Sequence, residues 1–257
     1  MEFLKDYNCK IIVSSEEIIE IANDKFLTAA FLEKNNFPYP FSVMANDKKK
    51  LIEIEEKLGY PLFAKPFDGA RSIGIKKIEN HEELMEVYDP NSNLVVQQFL
   101  SETEGEYTSG CIVVGGKCKA IVTMKRDLRD GNTYRAYIDE ETAQYDEFII
   151  PIAEKLNPDG PVNFQFRIFN GKPVIFEING RYSGTTPLRH FFGFNEVEAL
   201  LKYYLYNEEI KTPVIKNGIV LRVWSDVFIE GKEFAKLKKE GALENPNAIF
   251  YNFSINE

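Results

Sequence analysis

The stretch PVNFQFRIFNGKPVIFEINGRYSG, residues 161–184, decides how the rest of the chain is read. Two runs rich in Val, Ile and Phe flank Asn170-Gly171, a dipeptide that tight β-hairpins favour because both positions accept positive φ. Side chains alternate across a strand. On the first strand Phe164, Phe166 and Ile168 share one face, and Asn163, Gln165 and Arg167 share the other. On the second, Phe176 and Ile178 line one face, and Ile175, Glu177 and Asn179 the opposite one. Each strand is apolar on one side and oxygen-rich on the other. An amide or carboxylate buried without a partner costs free energy, so the polar faces belong to a cleft or to a solvated surface.

Loop parity decides whether the two polar faces coincide. A two-residue Asn-Gly loop would pair Gln165 with Phe176 and send Gln165 and Glu177 to opposite faces. A three-residue loop puts them on one face. The expectation is therefore an odd loop, a type I turn with Gly171 left-handed as a bulge. Gln165, Glu177 and Asn179 then form an oxygen cluster suited to Mg²⁺ or Mn²⁺, which take hard ligands and phosphates together. Arg181, two residues beyond Asn179, stands ready for a phosphate or a developing anion. A merely solvated hairpin face is the competing reading.

Three further segments bear on that choice. FAKPFDGARSIGI (63–75) places Lys65 at the end of an apolar strand, ahead of a loop containing Gly69, Ser72 and Gly74. Loop amides approach phosphate oxygens where side chains are small, and the Lys65 ammonium can neutralise α/β oxygens. The loop is not a Walker A motif. LVVQQFL (94–100) followed by SETEGEYTSG offers a hinge. Its backbone at Gln98 to Leu100 can read an adenine edge, and Glu106 can accept from ribose hydroxyls. The alternative is a strand end with an acidic surface loop. MKRDLR (124–129) brings Lys125, Arg126 and Arg129 either to the γ-phosphate and acceptor or to a solvated basic loop.

Elsewhere the chain alternates short helices and strands. A brief N-terminal helix precedes a strand at 10–13. Helices are expected at 24–35 (with Phe26, Ala29, Ala30 and Leu32 on one side), 47–58 ended by Gly59, 81–88, 144–156 and 195–206 capped by Asn195. Gly115-Gly116 joins a hairpin, residues 125–140 read as polar and irregular, and 218–229 reads as one strand. A short charged helix follows Gly231.

Composition narrows the function classes. The 257 residues are 44% hydrophobic, enough for a large domain or two lobes. The net charge is −9, from 31 basic and 40 acidic residues, which gives no basic footprint for nucleic acid. No apolar run is long enough to span a membrane. The opening MEFLKDYNCK lacks the order of a signal peptide, and three cysteines do not make a disulfide framework. A cytoplasmic, reducing location follows as the expectation, with Cys111 and Cys118 as buried thiols. Two histidines rule out a multi-His metal site. His190 reads as a partnered helix residue, and Arg189 beside it as a candidate for the substrate pocket.

The order of these motifs resembles the ATP-grasp superfamily, in its carbamoyl-phosphate-synthetase-like branch. The segments carrying the resemblance are DKFLTAAFLEKNNFPYPFSV, GYPLFAKPFDGARSIGI, LVVQQFL…EGEYTSG and GPVNFQFR…VIFEINGRYSG…GFN, across roughly residues 22–206. The resemblance implies an α+β fold whose two lobes, with mainly antiparallel sheets, enclose a nucleotide cleft. The segments would be a remnant of a preceding α/β domain (1–23), a helix plus small lobe (24–100), a large lobe with the metal-binding hairpin (101–230) and a C-terminal tail (231–257). The implied cofactors are ATP and Mg²⁺ or Mn²⁺. The implied reaction makes an acyl phosphate from a carboxylate, which an amine or other nucleophile then attacks.

By position the resemblance assigns Lys25 and Lys65 to phosphate, 69–74 to a mobile phosphate loop, and Gln97 to the adenine amino group. Gln98 and Leu100 fall on the hinge, Glu106 on ribose, Gln165, Glu177 and Asn179 on metal, and Arg181 on anion stabilisation. Gln97 stands where the family often has Glu, and Gly180 where Pro is usual. Most of the family's preceding domain has no counterpart here, so a protein partner supplying it is one expectation. A split synthetase subunit and a non-catalytic ATP-binding module are the alternatives to a self-sufficient ligase.

Overall fold

The computed structural model describes residues 11–68, 74–223, 226–241 and 248–251. The strongest local signals set the helices. Asp24 and Asp47 each accept two backbone N–H groups at the start of α2 (Lys25–Lys34) and α3 (Lys48–Leu58). Such a side chain satisfies donors that a helix start leaves open. Gly59, at positive φ, closes α3. Asn195 caps α7 (Glu196–Tyr206). Two helices complete this set: α1 (Glu16–Asn23), which the sequence reading missed, and α4 (His81–Glu86). The strand expected at 10–13 is absent over 11–13, which carry no regular structure; the helix before it lies outside the described residues.

Strands β1 (Ser42–Met44), β2 (Leu62–Pro66), β3 (Lys76–Ile78) and β4 (Leu94–Gln98) form a four-stranded sheet in the order β1-β4-β2-β3. Its core, with Leu51, Ile54, Leu62, Ile78, Leu84 and Val96, is the small lobe. The second sheet has six strands in the order β10-β7-β6-β5-β8-β9. They are β5 (Glu106–Val114), β6 (Lys117–Arg129), β7 (Asn132–Ile138), β8 (Gly160–Phe169), β9 (Lys172–Asn179) and β10 (Gly218–Leu221). Helix α5 (Asp146–Leu156) packs under one face of β5 and β6 and reaches Phe166 through Phe148, while α1 and α2 cover β9 on that face, which carries Ile175 and Ile178. On the other face, the end bearing Ile112, Val122 and Met124 is covered by Leu188 of α6 (Thr186–Phe191) and Leu200 of α7. The remainder of that face carries the polar residues.

The described residues up to Val220 form one compact unit. Those from Leu221 onward form another, in which β11 (Asp226–Ile229) pairs antiparallel with β12 (Ala248–Tyr251), and α8 (Gly231–Glu240) lies between them in sequence. The single strand expected at 218–229 is thus two strands in different sheets. The stretch 125–140, read as irregular, is a hairpin instead: β6 runs to Arg129 and turns through Asp130-Gly131, both at positive φ, into β7. Its charges hid the alternation that pairing requires.

The decisive hairpin turns differently from expectation. Phe169 pairs with Lys172, so the Asn170-Gly171 loop has two residues, both at positive φ (52° and 71°). Parity is corrected inside the strand. The register shifts between Gln165 and Phe166, which pair with Glu177 and Ile175, leaving Phe176 as the extra residue of a β-bulge. Gln165 and Glu177 still share a face. Ile175 joins the core and Phe176 does not, the reverse of plain alternation.

Candidate active site

Between the two sheets lies a cleft enclosing about 160 Å³. The small lobe contributes Phe63, Lys65, Gln97 and Gln98, the start of α2 contributes Lys25, and the hinge contributes Leu100. The large lobe contributes Glu106, Arg126, Gln165, Arg167, Phe176 and Glu177. Nine of the residues singled out from sequence thus line one space. Phe63 and Ile75 from one lobe and Phe176 and Leu128 from the other give it apolar walls.

The polar floor is a continuous hydrogen-bonded chain. Glu177 Oε1 accepts from Gln165 Nε2 at 2.9 Å and from Asn179 Nδ2 at 2.8 Å. Arg126 Nη2 donates to Gln165 Oε1 at 2.6 Å and to Glu106 Oε1 at 2.6 Å, and Arg126 Nε donates to Glu106 Oε1 at 2.9 Å. Arg167 closes on Glu106 Oε2 through Nε at 2.8 Å and Nη2 at 2.7 Å, and donates to the Leu100 carbonyl at 2.7 Å. Both oxygens of the Glu106 carboxylate are therefore held by guanidiniums, with three hydrogen bonds, while Arg167 Nη2 donates to Glu102 Oε1 at 2.8 Å. Sequence reasoning put Arg167 on the right face but gave it no role. Its guanidinium also lies 5.4 Å from the Phe176 ring centroid, a cation–π distance.

Opposite this floor, Lys65 Nζ donates to Gln97 Oε1 at 2.6 Å, and Gln97 Nε2 donates to Ser42 Oγ at 2.7 Å. The amide that stands in for a carboxylate is thereby fixed in orientation. Lys25 Nζ reaches the Phe67 carbonyl at 3.5 Å. Burial lowers the pKa of Lys25. Lys65 is pushed down to about 8, first by burial and then by the neighbouring charge of Lys25, with Glu177 opposing.

That depression has a sign that can be tested. Between about pH 8 and 10.5 the unfolded chain holds a proton on Lys65 that the folded chain has released, so folded-state stability rises with pH across this window. A phosphate brought to Nζ favours the ammonium and reverses the shift. Nucleotide binding at pH 9 is expected to take up roughly half a proton or more, and affinity to fall as pH rises above 8. Calorimetric ATP titrations in two buffers of different ionisation enthalpy read this directly. Heats that do not depend on the buffer would remove Lys65 from the phosphates.

The donor set suits a hard cation. Glu177 Oε2 and Asn179 Oδ1 accept no hydrogen bond among the described residues, while Glu177 Oε1 is held by two amides. One carboxylate with carboxamide oxygens matches the chemistry of Mg²⁺.

Other expected residues stand elsewhere. Lys125 pairs with Tyr107, on the α5 face of the sheet, while its neighbour Arg126 faces the cleft. Arg181 is exposed, its Nη1 donating to the Tyr182 carbonyl. Arg129 is exposed against the Tyr134 ring. Arg189, read as facing a substrate pocket, is buried and paired with Glu196 at 2.6 Å. His190 is exposed. Gly74 has φ of 77°, and a Cβ there would meet the Pro66 ring at 3.2 Å. Gly69 and Ser72 lie outside the described residues. Cys111 is a buried free thiol and Cys118 a partly buried one.

Two sheets gripping a cleft between facing lysines and an oxygen cluster define an ATP-grasp fold. Residues 91–227, more than half of the chain, match the family model described as ATP-grasp in the biosynthetic pathway with Ter operon, and the chain belongs to that family. Residues 22–147 also match the RimK-like ATP-grasp domain. The carbamoyl phosphate synthase large chain of Archaeoglobus fulgidus is 28% identical over 203 residues, covering 72% of this chain and 18% of that one. The chain thus spans less than a fifth of the curated relative it matches.

Solved structures agree on the fold. The biotin carboxylase domain dimer of Hydrogenobacter thermophilus 2-oxoglutarate carboxylase, in complex with MgADP, ADP and bicarbonate, superposes with a TM-score of 0.70 at 14% identity, covering 91% of this chain and 56% of that one. N5-carboxyaminoimidazole synthase from Aspergillus clavatus, with ADP and an aminoimidazole ribonucleotide, gives 0.68 at 15%, covering 88% and 62%. Among the described residues, no helix is long and apolar enough to cross a membrane.

Proposed function

We propose that this chain is an ATP- and Mg²⁺-dependent ligase that activates a carboxylate as an acyl phosphate for attack by an amine or another nucleophile. The observation carrying this reading is the placement of the Gln165–Glu177–Asn179 cluster across one cleft from Lys25 and Lys65. A carboxylate approaching ATP brings anion against anion, and fixed positive charge in a water-poor site lowers that barrier. Lys65 from the small lobe and Lys25 from the start of α2 neutralise phosphate oxygens. Arg126, held by Glu106 and Gln165, adds fixed positive charge from the large lobe, and Phe63, Ile75, Leu128 and Phe176 exclude water around the base. Glu177 and Asn179 would hold Mg²⁺, which supplies further charge neutralisation when bound; Gln165, expected as a third ligand, has its oxygen on Arg126 and its amide nitrogen on Glu177, and so orients the carboxylate. Arg181 meets the developing anion if the loop after Asn179 turns inward on substrate binding.

The direct test is an ADP-release screen with carboxylic acids, bicarbonate among them, each paired with a panel of amines. ADP release dependent on one acid supports the reading; release with none, in protein that binds ATP, favours a non-catalytic nucleotide-binding module. Lys65→Ala is expected to weaken ATP binding by about 1.5–3 kcal/mol, the usual worth of a hydrogen bond to a charged group, or about ten- to a hundredfold in Kd. An unchanged ATP affinity would take Lys65 out of the site.

A second reading adds a partner chain that completes the enzyme. It is supported by the small share of the carbamoyl phosphate synthase relative that this chain covers. ADP release that appears only when the product of a neighbouring gene is added would establish it.

A further inference from the structure

The segment that leaves the metal-binding strand, residues 180–185, carries Arg181 and leads into α6. A single buried side chain gathers it. Arg189 is 1% exposed, as is its ion-pair partner Glu196. Its Nη1 donates to Thr185 Oγ1 at 2.9 Å, and its Nη2 to Thr186 Oγ1 at 3.0 Å and Ser183 Oγ at 3.4 Å. A buried ion pair is a poor source of stability, because desolvation offsets the attraction. Its contacts here show what it holds in place.

The guanidinium is seated on Gly110. An added Cβ there would lie 2.3 Å from both Arg189 Cζ and Nε. Gly110 pairs with Asn163, and Asn163 with Asn179, so the three stand in one row across β5, β8 and β9. Among the described residues, two buried polar atoms at this row have no partner: Arg189 Nε, a donor, and Asn163 Oδ1, an acceptor. Asn163 Nδ2 is committed to Thr108 Oγ1 and the Ser109 carbonyl, which fixes the amide's orientation. A water accepting from Nε and donating to Oδ1 satisfies both atoms.

We propose that Arg189 is a positioning residue for the metal site, an inference that rests on the nucleotide-and-metal reading of the cleft. It clamps the segment after Asn179 through three hydroxyls and, through a bound water, the Asn163 amide beside Asn179. Glu196 holds the guanidinium in place, and Gly110 makes room for it. Arg189 touches neither substrate nor metal; it acts by fixing where Asn179 and Arg181 stand.

Arg189→Lys keeps a cation for Glu196 but loses the planar fan of donors. Mn²⁺ serves as the probe, titrated by the electron paramagnetic resonance signal of the free ion with ADP present. In folded Arg189→Lys the Mn²⁺ dissociation constant is expected to rise about tenfold or more, the scale seen when groups supporting metal ligands are altered. Binding of ADP without metal should stay within about twofold of wild type. Unchanged Mn²⁺ affinity, or an equal loss of ADP and Mn²⁺ binding, would reduce Arg189 to a structural strut and overturn the inference. If Arg189→Lys does not fold, Thr186→Val and Thr185→Val decide together, since each retains the ion pair and removes one Arg189 clamp, and Thr186 Oγ1 alone also holds the Ser183 N–H: a severalfold rise in both supports the role, and no rise in Thr185→Val overturns it. Failure of the wild-type protein to bind ADP at all would sink the nucleotide reading itself, a result distinct from any of these.

Discussion

Glu177→Gln is expected to abolish Mg²⁺-dependent ATP turnover while leaving the protein folded. The carboxylate has two distinct edges. Oε1 accepts from Gln165 and Asn179, and Oε2 accepts nothing among the described residues. A glutamine that keeps its oxygen toward those two amides turns an NH₂ group to the open edge. A donor then faces the position of a cation, and the site's carboxylate charge is lost. Groups merely supporting metal ligands cost 10–100-fold when altered, so removal of the charged ligand should lower turnover by at least about 100-fold. Stability should change by no more than about 1 kcal/mol, because the retained oxygen preserves both hydrogen bonds. The ADP-release assay, with a thermal melt alongside, reads both quantities. A variant keeping a third of wild-type turnover would remove Glu177 from the metal site.

Gly110→Ala is expected to be strongly destabilising. The new carbon would overlap Arg189 Cζ and Nε at 2.3 Å and approach Nη2 at 2.7 Å. The guanidinium cannot withdraw without leaving Glu196, and both side chains are almost wholly buried. Breaking such a pair costs about 3–5 kcal/mol, a large part of a typical domain's 5–15 kcal/mol. Urea unfolding measures the loss. Gly184→Ala is the control, since a Cβ there meets nothing within 4 Å and its φ is not positive. A loss below about 1 kcal/mol in Gly110→Ala would show that Arg189 has another place to go.

Much of the site was legible because its residues depend on local rules. Asp24 and Asp47 announce helix starts by their capping chemistry, and Lys65 follows an apolar strand before a glycine-bearing loop. Gln165 and Arg167 share a face by the two-residue period of a strand. Lys125 and Arg126 show the limit of that rule. Both were candidates for the site, but in a segment read as irregular nothing assigned them faces. Once β6 is paired, adjacent residues must part, and only Arg126 enters the cleft. Glu106 shows another limit. Its carboxylate is held by Arg126 and Arg167, which lie 20 and 61 residues away in sequence, and no local pattern encodes that meeting.

The amino-acid sequence by itself determined which chemistry was present and which elements carry it: capped helices, glycine-closed hairpins and an apolar strand face backed by Gln165, Glu177 and Asn179. Periodicity and capping are short-range, so they survive without knowledge of partners. Tertiary structure alone decided how the polar faces meet. The Asn170-Gly171 loop took its preferred two residues, and the mismatch in parity moved to a bulge at Phe176, where the sheet could keep Ile175 and Ile178 in the core. The physical reason is that burying two isoleucines and pairing three polar side chains are constraints on the whole sheet. The backbone met them at the position where an extra residue also served as a wall of the cleft.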